Sequence, residues 1–490
     1  MTLLGCVEHV SAAWSVANAF TNLSFTTPVF LTPEPRSSRL YVCELGGRIF
    51  FFTNDPAIAQ KVLFLDLSLV TQAHSDCGLL GFAFHPEFGL AASTNRGFVY
   101  VYYSYSPTPT PTPTADTRMY NRLSRFTVLD GSVVADRSSE LVLINQFDEN
   151  YWHNGGGMFF GPDGFLYLSN GDEGGAYDSF NNSQVITNGF FSGVFRIDVD
   201  MNPSRSHPIR RQIQDGGTVP GDWPHSFTGN YSVPNDNPWL DPGGSVLEEF
   251  FAIGLRNPHR MTYDAPAGRI WAGDVGQETQ EEIDLIQKGG NYQWAYLEGS
   301  VAGPKPKPNT LIGTDSPPLY SYGRSLGGCV IGGYVYRGTQ YAAYFAGRYI
   351  FGDYLSGRLW SLAYDGVSPP TITHLCTMPA FSLSSFGLDQ AGELYLCSIL
   401  DGKILKLNLL PDPTPILLTI ARRVAPDRVE LSFTNSPGLS FSVWAATNLA
   451  LPLTNWSSIG VAQEISPGVY HFTNALSPVT PLGFLRVHQP

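Results

Sequence analysis

The chain has 490 residues, and 29 Lys and Arg against 42 Asp and Glu give it a formal net charge of −13. Charged residues make up 14% of the chain, compared with ~25% in an average soluble domain. This acidic balance, without any cluster of Lys and Arg, argues against nucleic acid as a partner. No uncharged segment is long and apolar enough to predict a membrane span.

The composition favours many short strands joined by tight turns over a helical bundle. The chain contains 50 Gly and 37 Pro, and aromatic residues account for 13% of it. Six segments each show a β-branched and aromatic run, a turn and a second such run, which is the pattern of a β-hairpin. In chain order these segments are 39–52, 97–128, 164–199, 268–286, 347–362 and 392–407. Such repeats predict an all-β fold, a six-bladed β-propeller over residues 1–410 with loops lining a central mouth.

Two insertions interrupt these units, and a tail follows them. Residues 106–114, SPTPTPTPT, predict a solvated polyproline-like loop. Residues 203–240 are rich in Pro, Gly and Trp and are long enough for a lid or a wall of the mouth. The proline-rich segment 409–418 predicts a linker, and alternating runs over residues 416–490 predict a small C-terminal β domain like a β-sandwich.

The N-terminus and the cysteines carry little functional signal. The first ten residues, MTLLGCVEHV, lack a basic region and an uninterrupted apolar core, so they do not form a complete signal peptide. The six cysteines are scattered without a Cys-x-x-Cys pair, which gives no support to a thiolate metal site. Cys43 and Cys397 each end a strand-like run and are expected to be buried thiols, while one or two disulfides remain open.

The segment WHNGGGMFFGPDGFLYLSNGDEGG holds the densest group of polar residues. His153 precedes Asn154 and three glycines just before a predicted strand, which places an imidazole on a loop whose backbone can approach a ligand closely. The alternative is a turn histidine that neighbouring carbonyl groups satisfy.

Two further segments carry polar groups of interest. In AIGLRNPHR, Arg256 and Asn257 precede a proline of fixed φ and form a candidate clamp for carbonyl or carboxylate oxygens. A structural arginine between blades is the competing interpretation. In AGDVGQETQEEIDLI, main-chain carbonyls at Gly276 and Gln277 lie among several acids and suit a hard cation such as Ca²⁺, unless the acids only solvate a loop. These acids are Asp274, Glu278, Glu281, Glu282 and Asp284.

Taken together, these segments resemble the glucose/sorbosone dehydrogenase family, the soluble six-bladed quinoprotein sugar dehydrogenases. The resemblance covers residues 25–408. It rests on GLLGFAFHPEF, HNGG, GPDGFLYL, DNPW, GLRNP, GDVGQ, EEIDLIQKGGNYQW and GGYVYRG, in this order.

The resemblance implies a bacterial, secreted or periplasmic oxidoreductase that uses pyrroloquinoline quinone (PQQ) and Ca²⁺. Such an enzyme oxidises an aldose sugar to its lactone and passes the electrons to an external acceptor. In that scheme His153 is the base that takes the proton of the sugar C1 hydroxyl. Arg256 and Asn257 would hold the quinone oxygens, and the carbonyls of Gly276 and Gln277 would bind calcium.

The resemblance also implies cations facing the three carboxylates of PQQ. Arg337, which stands in YVYRG where glucose-oxidising members have a lysine, and Arg358 are the first candidates, and Arg324 is a third. Salt bridges between blades are the alternative for all three.

The chain departs from the glucose-oxidising members at two positions. Trp152 stands where those members have an acidic residue, and Asp76 occupies a mouth-facing position that is usually uncharged or basic. The GGYVYRG block is more similar to the Hedgehog-interacting-protein-like branch. Two alternatives therefore stay open: a non-catalytic propeller that binds a protein or glycan, and a calcium-dependent lactonase.

Overall fold

A computed structural model describes residues 13–114, 117–213, 223, 229–410, 417–425, 428–448, 455–475 and 484–488. The chain divides into two compact units, one of which spans Trp14–Asn408 while the other contains the residues from Leu409 onward. The predicted domain limits, 1–410 and 416–490, lie beside this division. No helix in the described part of the chain is long and apolar enough to cross a bilayer.

Within the described residues, the first unit contains six blade sheets, each built on four strands, and two two-stranded ribbons. The first strand among the described residues, β1 (Trp14–Asn18), belongs to the sixth blade. Blade 1 consists of β2 (Pro28–Pro33), β3 (Arg39–Glu44), β4 (Arg48–Thr53) and β5 (Val62–Asp66). Blade 2 consists of β6 (Leu79–Phe84), β7 (Phe98–Tyr105), β8 (Met119–Val128) and β9 (Ala135–Asp148).

Blades 3 and 4 carry the longest insertions. Blade 3 contains β10 (Met158–Phe160), β11 (Leu166–Asn170), β12 (Gly193–Ile197) and, after the ribbon β13 (Ser206–His207) and β14 (Val233–Pro234), β15 (Phe250–Ile253). Blade 4 contains β16 (Arg260–Asp264), β17 (Arg269–Asp274), β18 (Gln280–Ile286) and β23 (Tyr320–Gly323). Short strands between them are β19 (Gly290–Asn291), β20 (Leu297–Glu298), β21 (Val301–Ala302) and β22 (Thr314–Asp315), of which β19 and β22 extend the sheet of blade 3.

The last two blades complete the ring. Blade 5 contains β24 (Val330–Val335), the single turn α1 (Ala342–Phe345), β25 (Tyr349–Asp353), β26 (Arg358–Ala363) and β27 (Thr371–Thr377). Blade 6 contains β28 (Leu383–Leu388), β29 (Leu394–Ser398), β30 (Lys403–Leu409) and, as its outer strand, β1. The first strands β2, β6, β10, β16, β24 and β28 pack against one another in a closed ring.

The prediction of six repeated hairpins is confirmed, since each predicted pair corresponds to the second and third strands of one blade. These strands are covered by neighbouring blades on both faces, so their apolar runs are nearly continuous, as in FVYVYYSY of β7. Closure by β1 was not predicted. There Trp14 packs on Tyr341 and Phe345, with ring centroids 4.9 and 4.5 Å away.

The structure contains the predicted loop at 106–114, describes part of the longer insertion and shows no disulfide among the described cysteines. The tract 106–114 forms the predicted loop between β7 and β8, where Gln72 exchanges two hydrogen bonds of 2.9 Å with the backbone of Thr110. In the insertion 203–240, residues 214–222 and 224–228 lie outside the described residues, as do most of the linker and Cys6. The other five cysteines are free thiols, so no disulfide joins any pair of them.

In the part of the second unit that the structure describes, six strands follow one hydrogen-bonded order, β31-β32-β35-β34-β33-β36. They are β31 (Leu417–Ala425), β32 (Arg428–Thr434), β33 (Phe441–Ala446), β34 (Ser457–Ser466), β35 (Val469–Ala475) and β36 (Phe484–His488). Phe433, Phe441 and Tyr470 form its aromatic core. The β-sandwich remains a prediction for this unit.

Candidate functional site

A cavity of about 750 Å³ opens at the end of the ring where the inner strands begin. All six blades contribute to it, through the segments before their first strands and the turns between their second and third strands. The residues that line it are Val29, Leu45, Ser75, Asp76, Leu80, Asn150, Trp152, His153, Gly175, Ala176, Arg256, Asn257, His259, Val275, Gly276, Gln277, Gly328, Cys329, Ile331, Tyr354, Leu355, Ser384 and Ile399.

His153 lies in the wall of this cavity, on the segment that leads into β10. Its φ of 63° is in the left-handed region, and its N–H donates to Asp76 Oδ2 at 2.6 Å. Gly171, just after β11, donates its N–H to the His153 carbonyl at 3.1 Å. A Cβ at Gly171 would lie 2.3 Å from that carbonyl oxygen and 2.8 Å from the Arg256 carbonyl oxygen. Only glycine therefore allows these backbones to meet.

Asp172 orients the His153 imidazole. Its Oδ1 lies 2.5 Å from His153 Nδ1, and its Oδ2 accepts a hydrogen bond of 2.7 Å from Trp294 Nε1. Because a fully buried carboxylate faces Nδ1, that nitrogen carries the hydrogen, and Nε2 is left as the basic atom. His153 Nε2 has no hydrogen-bond partner among the described residues and is free to meet a guest in the cavity.

Arg256 and Asn257 are fixed by Asp274, whose carboxylate accepts their backbone N–H groups at 2.8 and 2.6 Å. Arg256 Nη1 donates to the carbonyls of Val275 and Gly276 at 2.9 and 2.8 Å, and Nε and Nη2 donate to Gln277 Oε1 at 3.2 and 3.0 Å. The structure thus brings the predicted arginine and amide to the predicted turn.

Asp76 adds a carboxylate to the same wall. Its Oδ2 accepts hydrogen bonds from the His153 N–H and, at 3.1 Å, from Asn257 Nδ2, whereas Oδ1 is buried without a partner. Burial raises the pKa of Asp76, and His153 and Asn257 only partly oppose that shift. The wall beside the imidazole therefore carries negative charge when Asp76 is ionised.

One of the two predicted calcium carbonyls, that of Gly276, accepts a hydrogen bond from a guanidinium. Because Arg256 Nη1 bonds to Gly276 O at 2.8 Å, a calcium ion at this carbonyl would lie beside a guanidinium. The resemblance placed calcium at the carbonyls of Gly276 and Gln277, which stays a prediction, and three carboxylates on the strands that flank this turn form a second candidate set.

That set is the cluster of Asp274, Glu282 and Asp284 on β17 and β18, which we call the carboxylate trio. Register pairs Asp274 with Glu282 across the two strands, and one oxygen of each residue lies within 4.8 Å of the others. Both oxygens of the buried Asp284 lack a hydrogen-bond partner. Burial raises the pKa of Asp274 to about 7 and those of Glu282 and Asp284 well above their usual range. Three oxygen donors short of positive charge suit a hard divalent cation.

The other predicted arginines do not reach the cavity. Arg337 follows the far end of β24, about 20 Å of strand from the mouth, where its Nε and Nη2 bond to Asp264 at 2.9 and 2.6 Å. Arg358 Nη1 donates to the carbonyls of Ser325 and Leu326 at 3.1 and 2.8 Å. Arg324 pairs with Glu281 and Glu298. Arg337 thus makes a salt bridge between blades 5 and 4, the alternative that the sequence left open, whereas Arg324 pairs with Glu281 of its own blade and Arg358 bonds to backbone carbonyls.

Aromatic side chains stand at the rim of the cavity on two sides. Trp152 is 41% exposed and packs against Tyr151, with the ring centroids 5.0 Å apart. On the blade 5 side, Tyr354 lines the cavity and Phe381, 50% exposed, stands edge-on to it at 5.6 Å. Such faces suit the C–H surface of a sugar ring.

Sequence reasoning missed Asp172 and Trp294. A signal for Asp172 was present, because it lies in NGDEGG two residues after the end of β11, and His153 lies five residues before the start of β10. Strands β10 and β11 pair antiparallel, so both residues are at the same end of one hairpin. Trp294 comes from a segment between blades 3 and 4, and no local pattern places its indole against Asp172.

Known proteins with similar sequences include sugar dehydrogenases and Hedgehog-interacting proteins. The HIPL1 protein of Arabidopsis thaliana is 36% identical over 221 residues, 43% of this chain and 29% of that protein. The human Hedgehog-interacting protein is 26% identical over 384 residues, 74% of this chain and 47% of that protein. Quinoprotein glucose dehydrogenase B of Acinetobacter calcoaceticus is 25% identical over 271 residues, 54% of this chain and 49% of that protein. The matched part spans less than half of each of these relatives.

Solved structures and the family profile agree with this fold. The apo-form of the soluble aldose sugar dehydrogenase from Escherichia coli superposes with a TM-score of 0.58 at 18% identity, covering 81% of this chain and 100% of that one. That likeness shows the propeller fold. The profile described as Glucose / Sorbosone dehydrogenase matches residues 25–219 and 225–375. Because the matched residues make up more than half of the chain, the chain belongs to the glucose/sorbosone dehydrogenase family.

Proposed function

We propose that the cavity binds a sugar and that His153 acts as the base toward one of its hydroxyl groups. The observation that carries this proposal is the Asp172–His153 contact of 2.5 Å, which leaves His153 Nε2 as the basic atom at a cavity wall. A histidine held in one tautomer by a buried carboxylate suits proton transfer near neutral pH.

The lining supports a sugar as the guest. Trp152 stands next to His153 and is partly exposed, so one face of a sugar ring can stack on the indole while a hydroxyl meets the imidazole. A volume of about 750 Å³ is within the usual range of small-molecule sites. Membership of the family points to the same substrate class.

The complete reaction implied by the resemblance is oxidation of an aldose to its lactone, with PQQ, Ca²⁺ and an external electron acceptor. Calcium fits this chain at the carboxylate trio, where the two Asp284 oxygens that lack a hydrogen-bond partner would coordinate the ion. PQQ does not fit the described lining, because Arg256 is its only lysine or arginine and Asp76 adds a negative charge. We also propose a secreted or periplasmic location, by analogy with the family scheme.

A binding-only propeller is the second candidate. The amide of Asn257 donates to Asp76 and accepts from the Gly155 N–H, and the Arg256 guanidinium is bonded to the turn 275–277. These internal bonds leave fewer donors for the charge that develops in a reaction. They favour recognition of a glycan over its conversion.

Calorimetric titration and a turnover assay separate these candidates. The full chain is titrated with a panel of aldoses and disaccharides, and dye reduction is followed with and without added PQQ and Ca²⁺. His153→Ala should retain sugar binding but abolish any turnover, and Asp172→Asn should reduce turnover through the lost orientation of the imidazole. His374→Ala, at an exposed position on β27, is the matched control.

Each outcome has one meaning. Sugar binding with turnover that depends on His153 supports the base, and sugar binding without turnover supports the binding-only propeller. Hydrolysis of a lactone without quinone would favour the lactonase. Absence of sugar binding would contradict the proposal.

A further inference from the structure

We infer that the cavity selects a neutral polyhydroxylated guest and rejects PQQ, with Asp76 as the residue that decides between them. The inference rests on the proposed sugar-binding function and concerns the charge of the guest. It follows from the charged groups that line the cavity and from the partners that each of them already has.

The cavity offers little positive charge to an anionic guest. Among the described lining residues, Arg256 is the one lysine or arginine. Its guanidinium makes four hydrogen bonds of 2.8 to 3.2 Å to the turn 275–277, and its carbon lies 5.5 Å from the centre of the Trp294 ring. These bonds use four of the five guanidinium hydrogens, so a guest carboxylate could accept the one remaining Nη2 hydrogen but would have to replace existing bonds to form a paired contact. A guest with three carboxylates would still leave two of them without a partner.

The neighbouring amide does not change this balance. Asn257 Nδ2 donates to Asp76 Oδ2 at 3.1 Å, and Asn257 Oδ1 accepts the Gly155 N–H at 3.2 Å. Both ends of the amide are therefore bonded within the protein. The second Nδ2 hydrogen stays available to a guest, but an uncharged amide adds no positive charge to the lining.

The carboxylate of Asp76 adds a negative charge to the lining, and this charge repels an anionic guest. Its Oδ1 has no partner, and its Oδ2 depends on the His153 N–H and the Asn257 amide. A further carboxylate, Asp172, is buried behind the same wall. A carboxylate beside an existing buried carboxylate is repelled, and it forces one of the two to take up a proton. A guest with three carboxylates experiences this repulsion, and an uncharged sugar does not.

The remainder of the lining suits such an uncharged guest. Leu355, Ile331 and Ile399 supply apolar walls, Trp152 supplies a partly exposed aromatic face, and His153 supplies a free nitrogen. A sugar combines apolar C–H faces with hydroxyl groups that can donate to His153, and it needs no counter-cation. Sites of this kind place a few polar groups in a mostly apolar wall.

Two titrations of the full chain test the inference, one with PQQ in the presence of Ca²⁺ and one with neutral sugars. Tryptophan fluorescence and PQQ absorbance report binding. For the wild type we expect saturable sugar binding and no PQQ binding tighter than about 0.1 mM. In the variant Asp76→Asn with Leu355→Lys, we expect PQQ binding to become at least about tenfold tighter. One negative charge is removed and one positive charge is added at the rim, where Leu355 is 42% exposed and a lysine can reach water.

The control variant Asp55→Asn with Val367→Lys makes the same change in charge at exposed turns away from the cavity. It should leave PQQ binding unchanged. Thermal melts establish that each variant is folded, and Asp76→Asn alone, expected to gain less, replaces the double variant if the latter unfolds.

Micromolar binding of PQQ to the wild type would overturn the inference, as would a folded Asp76 variant that binds PQQ no better than the control. A wild type that binds both PQQ and sugars contradicts only this inference. A wild type that binds neither contradicts the proposed function and, with it, the choice of a neutral guest.

Discussion

Glu249 provides a quantitative test of the buried charges in blade 3. It is 1% exposed, directly before β15, and its carboxylate accepts the Tyr231 hydroxyl at 2.8 Å. Burial raises its pKa from 4.5 to about 7, against the opposing effect of that hydrogen bond, and the neighbouring Glu248 adds to the rise. Glu249→Gln keeps the shape and an acceptor oxygen for Tyr231 but removes the titration.

The sign and size of the effect follow from that shift. A group whose pKa is raised in the folded state stabilises the fold below its unfolded pKa, and this stabilisation is lost as the pH rises through the folded value. A shift from 4.5 to about 7 corresponds to about 3 kcal/mol of unfolding free energy. We therefore expect Glu249→Gln to gain about 3 kcal/mol over the wild type between about pH 4.5 and pH 8.

Urea unfolding of both proteins across this pH range, followed by circular dichroism, measures the difference. Glu87→Gln, on an exposed turn of blade 2, is the matched control and should follow the wild type. If the wild type and Glu249→Gln lose stability in parallel as the pH rises, the reasoning from burial is refuted.

Three further predictions follow from other parts of the molecule. Removing Ca²⁺ with a chelator should lower the melting temperature of the wild type, because bound calcium at 100 times its Kd stabilises the folded state by about 2.7 kcal/mol. Asp284→Asn should abolish this response, and an unaltered response in this variant would reject the trio as the metal site. Trp152→Ala should weaken sugar binding about tenfold in calorimetry and Trp152→Phe should weaken it less, since a ring face remains; equal affinities in all three proteins would rule out stacking. Trp14→Ala should cost the propeller about 3–5 kcal/mol in denaturant unfolding, because its indole joins β1 to Tyr341 and Phe345 at the closure of the ring; an unchanged midpoint would contradict this.

The blades were predictable from sequence because their central hairpins are local. GRYIFGDYLSGRLWSL contains two strands and the turn between them, so neighbouring residues alone determine β25 and β26. The inner strands were harder to predict, since β10 has only three residues. The pairing of β1 with β30 joins the two ends of the propeller, and no local signal reports a contact of that range.

Candidate site residues were predictable where they lie next to the start of an inner strand. His153 and Arg256 precede β10 and β16, and the structure brings both to the cavity. Arg337 looked similar in sequence, but it follows β24 and therefore lies at the opposite end of its blade. A motif such as YVYRG does not report where a strand begins or ends, so it does not tell at which end of the blade its arginine lies. The bonds between Arg256 and the Gly276 carbonyl depend on three-dimensional packing and were not predictable.

Calorimetric titration of the full chain with neutral aldoses and disaccharides tests the central claim most directly. We expect saturable binding of at least one sugar with one site per chain, retained in His153→Ala and weakened in Trp152→Ala. Absence of binding for every sugar, or binding that is unaffected by Trp152→Ala, would contradict it.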